Sequence, residues 1–334
     1  MRSRKLHLNL KNIGENMIVM IPDKVNEKAS EILENEGYVV INKPGISEDE
    51  LIDICADVDA MIVRSGIKIT EKVLSAAERL KVVVRAGVGY DNIDSKYAAS
   101  KGIIVENTPL GNTNAAAEHT LTLLMILAKH VVHSNSELKS GVWDRKKYKA
   151  TELKGKTLGI IGLGNVGKKV AKVANALEMN VISFDPFVMK EIMEKYEMKK
   201  VELEELLPVS DYITVHVPLN DKTKDLISDE EFSMMKEGVR IINVARGGVV
   251  NEIALEKAIN DGKVACAALD VYGQEPPVCK TLLANDKVIC TPHLGASTKE
   301  AQVNVAVDAA NQVVFALKEG KIYNCVNGVE KVKD

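Results

Sequence analysis

The side chains best suited to chemistry fall into two groups, a glycine turn and three ionisable residues downstream of it. Gly162, Gly164 and Gly167 fill a G-x-G-x-x-G spacing directly after a short apolar run, Leu158 to Ile161. The turn opens into a segment with Val166, Val170, Val173 and Leu177 at helical spacing, which gives that helix one apolar stripe. Such a turn lets the main chain approach a pyrophosphate, whose charge is favoured at a helix N-terminus. A second apolar run, Val181 to Phe184, ends on Asp185, eighteen residues past Gly167. A carboxylate there accepts hydrogen bonds from adenosine ribose hydroxyls and repels a 2′-phosphate, and no Lys or Arg follows before Lys190. Strand, turn, helix, strand and acid together predict a dinucleotide site that takes NAD in preference to NADP. The alternative for Asp185 is a plain turn residue.

Arg246 in NVARGGVV, Glu275 in LDVYGQEPP and His293 in TPHLGAST each lie close behind an apolar run. Ligands bind at strand ends of open α/β sheets, so the three can serve one crevice. Histidine titrates near neutrality, so His293 beside a nicotinamide can take a hydroxyl proton while hydride leaves the carbon. Glu275 would hold the other ring nitrogen, fixing the tautomer and stabilising the imidazolium. Arg246 would clamp a carboxylate in a forked pair and polarise the neighbouring carbonyl. A surface ion pair for Arg246, a loop acid for Glu275 and a capping histidine for His293 are the plainer alternatives.

The elements that must position these groups alternate. From Met17 the runs MIVMIP, YVVI, VDAMIVR, KVVVRAG and GIIVEN read as strands. Between them come a helix near Val25 to Glu36, one opened by the capping box Ser47-x-x-Glu50, and one after Thr70. A single long helix is expected from Ala115 to Lys139, ended by Gly141, and then strands ending at Asp185, Pro218, Val244, Asp270 and Thr291. A last helix, opened by Ser297-x-x-Glu300 and closed by Gly320, would return the chain to its first part. The expected fold class is α/β, with two doubly wound parallel-sheet domains and the active site in a cleft between them. Residues 1–108 with 298–334 would form a discontinuous, flavodoxin-like substrate domain, and 109–297 a Rossmann-type NAD domain. His130, His133 and Glu137 share a helical face that could hold a metal, but a solvated or subunit-contacting face is the simpler reading, so no metal site is expected.

Bulk properties exclude some classes. The formal net charge of −3 over 334 residues gives no electrostatic case for nucleic acid or an anionic membrane. Five cysteines, odd in number and without C-x-x-C spacing, fit reduced thiols in a cytoplasm. The longest apolar run, Leu123 to Ala128, is far short of the roughly 20 residues a spanning helix needs. Residues 1–16 read as a polar extension without a signal-peptide core.

Taken jointly, VRSGIKIT at Val63, RAGVGYDNID at Arg85, ENTPLGNTNAAAEHTL at Glu106, the glycine turn, NVARGG, ALDVYGQEPP and TPHLGAST resemble the D-isomer-specific 2-hydroxyacid dehydrogenases. The resemblance runs from about Met17 to Asn327. It implies that Arg246 binds substrate, Glu275 supports the histidine and His293 is the acid/base. It also implies substrate contacts from the amides of Gly87, Val88 and Gly89, from Asn107 and from Arg64. On the cofactor side it implies Val88, Asn165, Val166, Val217, Pro218, Val244, Ala245, Asp270 and Gly295, besides the glycines, Asp185, Arg246 and His293. Common members have Arg-Ile at Asn165-Val166, Ser or Thr at Val88 and Thr at Val217, so side-chain cofactor contacts are weakened here.

The implied activity is NAD-dependent oxidation of 3-phospho-D-glycerate to 3-phosphohydroxypyruvate, a small-molecule reaction that opens serine synthesis, in a homodimer. Arg64, Lys68, Arg145, Lys146 and Lys147 supply the extra cations that a phosphate dianion requires, with Arg145 resembling an arginine that reaches the substrate from the neighbouring subunit. A solvated charged loop is the plainer reading of LKSGVWDRKKYK. The chain stops soon after Asn327, so feedback through a regulatory tail is not expected. A glyoxylate or hydroxypyruvate reductase is the alternative within the family, and an NAD-sensing corepressor-type binding protein the alternative outside enzymes.

Overall fold

A computed structural model of the chain describes residues 17–333, and the expected polar extension 1–16 lies outside the described residues. The chain divides into two compact units, one running to Asn112 and resuming at Lys299, the other spanning Thr113–Thr298.

The first unit holds strands β1 (Ile18–Ile21), β2 (Val39–Asn42), β3 (Ala60–Val63), β4 (Val82–Arg85) and β5 (Ile104–Asn107), with helices α1 (Lys28–Asn35), α2 (Glu48–Ile54), α3 (Glu71–Ala76) and α4 (Ser95–Ser100) between them. All pairings are parallel, in the order β2-β1-β3-β4-β5. β1 and β3 are apolar and buried throughout because both faces are covered, whereas the edge strand β2 is half-buried. Along β1, Ile18 and Met20 enter a core with Leu51 and Val73, while Val19 and Ile21 enter another with Leu33, Ala306 and Val313. The capping box is present, Ser47 accepting from the Glu50 N–H and Glu50 from the Ser47 N–H. α1 starts at Lys28 instead of near Val25.

The second unit opens with α5 (Thr113–Lys129) and α6 (Val131–Lys139) and continues β6 (Thr157–Ile161), α7 (Asn165–Ala176), β7 (Asn180–Phe184), α8 (Lys190–Lys195), β8 (Lys199–Lys200), α9 (Leu203–Leu206) and β9 (Tyr212–Val215). It closes with α10 (Asp229–Met234), β10 (Val239–Asn243), α11 (Glu252–Asn260), β11 (Val264–Leu269), α12 (Lys280–Leu283) and β12 (Val288–Cys290). Its sheet is ordered β12-β11-β10-β9-β6-β7-β8. The edge strand β8, only Lys199–Lys200, was not anticipated; two charged residues carry no strand pattern.

The single helix expected from Ala115 to Lys139 is two helices bent by 64°. His130 takes left-handed backbone angles (φ 54°, ψ 27°) between them. The physical reason is packing: α5 buries Leu121, Leu123, Leu124 and Leu127, whereas α6 buries no residue. No single helix among the described residues is long and apolar enough to cross a membrane. The last helix, α13 (Lys299–Val314), belongs to the first unit and starts one residue later than a Ser297 cap predicts. A π-helical turn, Phe315–Glu319, ends it at left-handed Gly320.

Candidate active site

In the second unit the chain order reverses between β6 and β9, and ligands bind open α/β sheets outside the strand ends at such a point. The glycine turn leaves β6 there. Gly162 has φ +94°, and a Cβ on it would meet the His216 carbonyl oxygen at 2.7 Å. Gly167 lies against the Gly162 carbonyl, so a side chain there would push α7 off its strand. A Cβ on Gly164 would meet nothing within 4 Å, which leaves main chain exposed to a ligand at the start of α7. Each glycine therefore fits one part of a pyrophosphate cradle, and Asn165 and Val166 form the first helical turn above it. Val217 and Pro218 follow β9 on the neighbouring strand. His216, half-buried and 3.1 Å from Thr214 Oγ1 through Nε2, is pulled down to about 4 by burial.

Asp185 sits one residue past β7. Its Oδ2 accepts the Leu163 N–H at 2.8 Å, and its Oδ1 accepts the N–H groups of Phe187 at 2.8 Å and Val188 at 3.2 Å. The carboxylate thus ties the glycine turn to the end of β7, and its remaining lone pairs are what a ribose would use.

Arg246, Glu275 and His293 lie on three loops after β10, β11 and β12 that pack on one another. Asn243 holds the first, its amide donating to the Arg246 carbonyl at 2.9 Å and its oxygen accepting from the Ala245 N–H at 3.0 Å. Gly247 passes so close to the main chain of Tyr272 and Gly273 that any side chain would collide. The Tyr272 hydroxyl donates to the Thr291 carbonyl at 3.0 Å, and a Cβ on Gly295 would meet Val244 Cγ1 at 2.8 Å. This packing brings His293 Nδ1 within 2.7 Å of Glu275 Oε2, with both side chains open to solvent at 46% and 39% exposure. Glu275 Oε1 is fixed by the Tyr272 N–H at 3.2 Å. With Nδ1 held, Nε2 of His293 is the nitrogen left for proton transfer. Arg246 directs one Nη to the Ala245 carbonyl at 2.6 Å.

Asp270 is fully buried. Burial alone would raise its pKa, but donors from His119, Thr291, Leu294 and Gly295 outweigh it and hold the carboxyl below the usual carboxylate range.

In the first unit the order reverses between β1 and β3, and Arg64 stands there, its N–H donating to Asp23 Oδ2 at 2.6 Å and Nη1 to the Lys24 carbonyl at 3.3 Å. Gly87 has φ +144°, and its carbonyl accepts the Thr108 N–H at 2.9 Å. Asn107 uses its side-chain amide to hold the Val88 carbonyl at 2.7 Å, so it shapes the Gly87–Gly89 loop. Val88 itself is 38% exposed. Lys68 lines a groove of about 1270 Å³ where Glu48, Glu71, Asp91 and Asp94 outnumber Lys68 and Lys72, so that groove is not a plain phosphate pocket. Arg145 lies on an exposed segment beside Trp143, which is 76% exposed. Lys147 pairs with Glu137, and the Lys146 N–H donates to Asp144 Oδ1 at 3.0 Å. Among the described residues no group of three or more His, Cys, Asp or Glu side chains is placed to hold a metal.

Sequence reasoning passed over Asn243, which braces its own loop at Ala245 and Arg246, Tyr272 and His119, which reach Thr291 from other segments, and Arg85. The last ends β4 beside Gly87 in register with Val63, one residue before Arg64, and strand adjacency is the signal that could have found it.

A family model described as "D-isomer specific 2-hydroxyacid dehydrogenase, NAD binding domain" matches residues 121–295. The chain is 46% identical over 312 residues to a D-3-phosphoglycerate dehydrogenase of Archaeoglobus fulgidus, which covers 93% of this chain and 59% of the relative. The chain therefore spans less than two thirds of that relative's length. Among solved structures, a glyoxylate reductase from Paecilomyes thermophila superposes with a TM-score of 0.86 at 29% identity, covering 94% of this chain and 99% of that one. A D-lactate dehydrogenase from Aquifex aeolicus, complexed with NAD and lactic acid, does so with 0.83 at 29% identity, covering 93% and 99%.

Proposed function

Because this chain belongs to the D-isomer-specific 2-hydroxyacid dehydrogenases, we propose that it oxidises 3-phospho-D-glycerate to 3-phosphohydroxypyruvate with NAD, the first step of serine synthesis. The observation that carries the reading is the 2.7 Å contact between His293 Nδ1 and Glu275 Oε2, on loops packed against the one bearing Arg246. Glu275 holds Nδ1 and stabilises positive charge on the ring as His293 Nε2 takes the proton of the C2 hydroxyl. Arg246 clamps the substrate carboxylate and polarises the oxygen becoming a carbonyl, with the amides of Gly87 to Gly89 as further carboxylate donors. Bound NAD would supply the hydride acceptor for C2. Gly162, Gly164 and Gly167 would receive its pyrophosphate, Asp185 its ribose, and Val244, Ala245, Asp270 and Gly295 would lie on its nicotinamide side. Arg64, with Arg145 of a partner copy, would neutralise the phosphate, in a cytoplasmic homodimer whose domains follow the two units, whereas the acidic groove around Lys68 removes that lysine from the phosphate set.

A second reading, reduction of an unphosphorylated 2-oxo acid, draws on the likeness to a glyoxylate reductase. One panel decides: phosphorylated and unphosphorylated 2-hydroxy and 2-oxo acids, followed by reduced-cofactor absorbance. Highest kcat/KM for 3-phosphoglycerate is expected. A preference for glyoxylate or hydroxypyruvate would move the assignment to the second reading, and no turnover with any acid would favour a nucleotide-binding protein.

A further inference from the structure

His293 has φ 54°, in the left-handed region that residues with a side chain rarely adopt. Such a residue stays put only when its surroundings over-determine it. Here the surroundings are Asp270. Its carbonyl accepts the His293 N–H at 2.9 Å. Its Oδ1 accepts the Thr291 hydroxyl at 2.6 Å and the Leu294 N–H at 2.7 Å, and its Oδ2 accepts the Gly295 N–H at 2.7 Å. The loop is thus gripped on both sides of the imidazole by one carboxylate with no solvent exposure. A desolvated carboxylate holds its place only if donors satisfy its lone pairs.

A further donor comes from a different layer of the unit. His119, on α5, reaches in so that Nε2 lies 3.3 Å from Asp270 Oδ1 and 3.2 Å from Thr291 Oγ1. Its side chain is only 18% exposed, in the row Ala115, Leu123 and Leu127 on a helix whose one other inward polar side chain, Thr120, is satisfied by the Ala116 carbonyl. A polar ring in that apolar row needs a reason, and contact with both the gripping carboxylate and the gripped threonine supplies one.

We propose that His119 is a positioning residue for His293: it anchors Asp270 and Thr291 to α5, so that the strained loop keeps the imidazole aligned with Glu275. The inference rests on the acid/base role given to His293 above. It requires a donor at Nε2 and not a charge, because a neutral Nε2–H tautomer donates as well as the imidazolium.

The test compares His119→Phe, which keeps bulk and loses the donor, with His119→Gln, whose amide nitrogen can stand where Nε2 does. Misplacing a catalytic group by a fraction of an ångström is expected to lower kcat roughly tenfold in His119→Phe, with KM for NAD within about twofold of wild type. His119→Gln should recover to within about threefold. Backbone amide hydrogen exchange at Leu294 and Gly295 gives a readout independent of turnover. It should accelerate in His119→Phe and return in His119→Gln. Unchanged exchange would overturn the proposal whether or not any 2-hydroxy acid is a substrate. Faster exchange with kcat unchanged well below the variant's Tm would also overturn it, leaving a purely structural role. If His119→Phe does not fold, His119→Leu, which also removes the donor and leaves the Thr291–Asp270 bond in place, is held to the same two outcomes.

Discussion

His293 Nδ1 and Glu275 Oε2 stand 2.7 Å apart although eighteen residues of chain separate them. The contact depends on Tyr272, which donates its N–H to Glu275 and its hydroxyl to the Thr291 carbonyl two residues before the histidine. Glu275→Gln keeps a polar side chain but removes the charge that balances the ring when it carries the proton. kcat should fall roughly 10²-fold or more while NAD affinity, measured by titration, is preserved. A loss below twofold would reduce Glu275 to a loop acid.

The glycine turn separates stability from binding. Gly162→Ala forces a side chain to φ +94° and against the His216 carbonyl, and should destabilise the fold by roughly 2–4 kcal/mol in denaturant titration. Gly164→Ala meets nothing within 4 Å and should leave stability nearly unchanged while weakening NAD binding at least about tenfold. If both variants lost stability and neither lost NAD affinity, the cradle would be a packing motif.

Asp185→Ala should lower the preference for NAD over NADP, because it removes a ribose acceptor and the repulsion of a 2′-phosphate. The ratio of the two kcat/KM values is the measurement. Since the carboxylate also receives the N–H groups of Leu163, Phe187 and Val188, Tm should drop as well. A lower Tm with an unchanged ratio would leave Asp185 a turn residue.

His216 makes stability pH-dependent. Burial lowers its folded value from 6.5 to about 4, so the unfolded chain takes up the proton first. The corresponding stability is complete above the unfolded value and is lost as pH falls through it toward about 4. The contribution is on the order of 1–3 kcal/mol. His216→Gln should flatten the stability curve between about pH 7 and about pH 4.5 relative to wild type. Parallel curves would place the acid sensitivity elsewhere.

Much of this architecture was legible because strands such as β1 and β3 are buried on both faces and therefore read as unbroken apolar runs, and because Gly162, Gly164 and Gly167 have distinct steric duties that only glycine meets. The break at His130 was not legible. Neither Gly nor Pro interrupts the helical pattern there, and the turn reflects the loss of buried partners beyond Ala128. Nor could the side-chain duty of Asn107 be read, since its amide turns to Val88 on another strand's loop. His119 was hidden for the same reason: it shares a segment with apolar residues, and its meaning lies in Asp270 and Thr291, far along the chain.

The most direct test of the central claim is the initial rate of reduced NAD formation from 3-phospho-D-glycerate by wild type and His293→Asn, assayed side by side with NAD binding measured independently. The account predicts rapid turnover by wild type, a loss of roughly 10²–10⁴-fold in the variant, and NAD affinity that is little changed. A His293→Asn protein that turned over within a few-fold of wild type would contradict it.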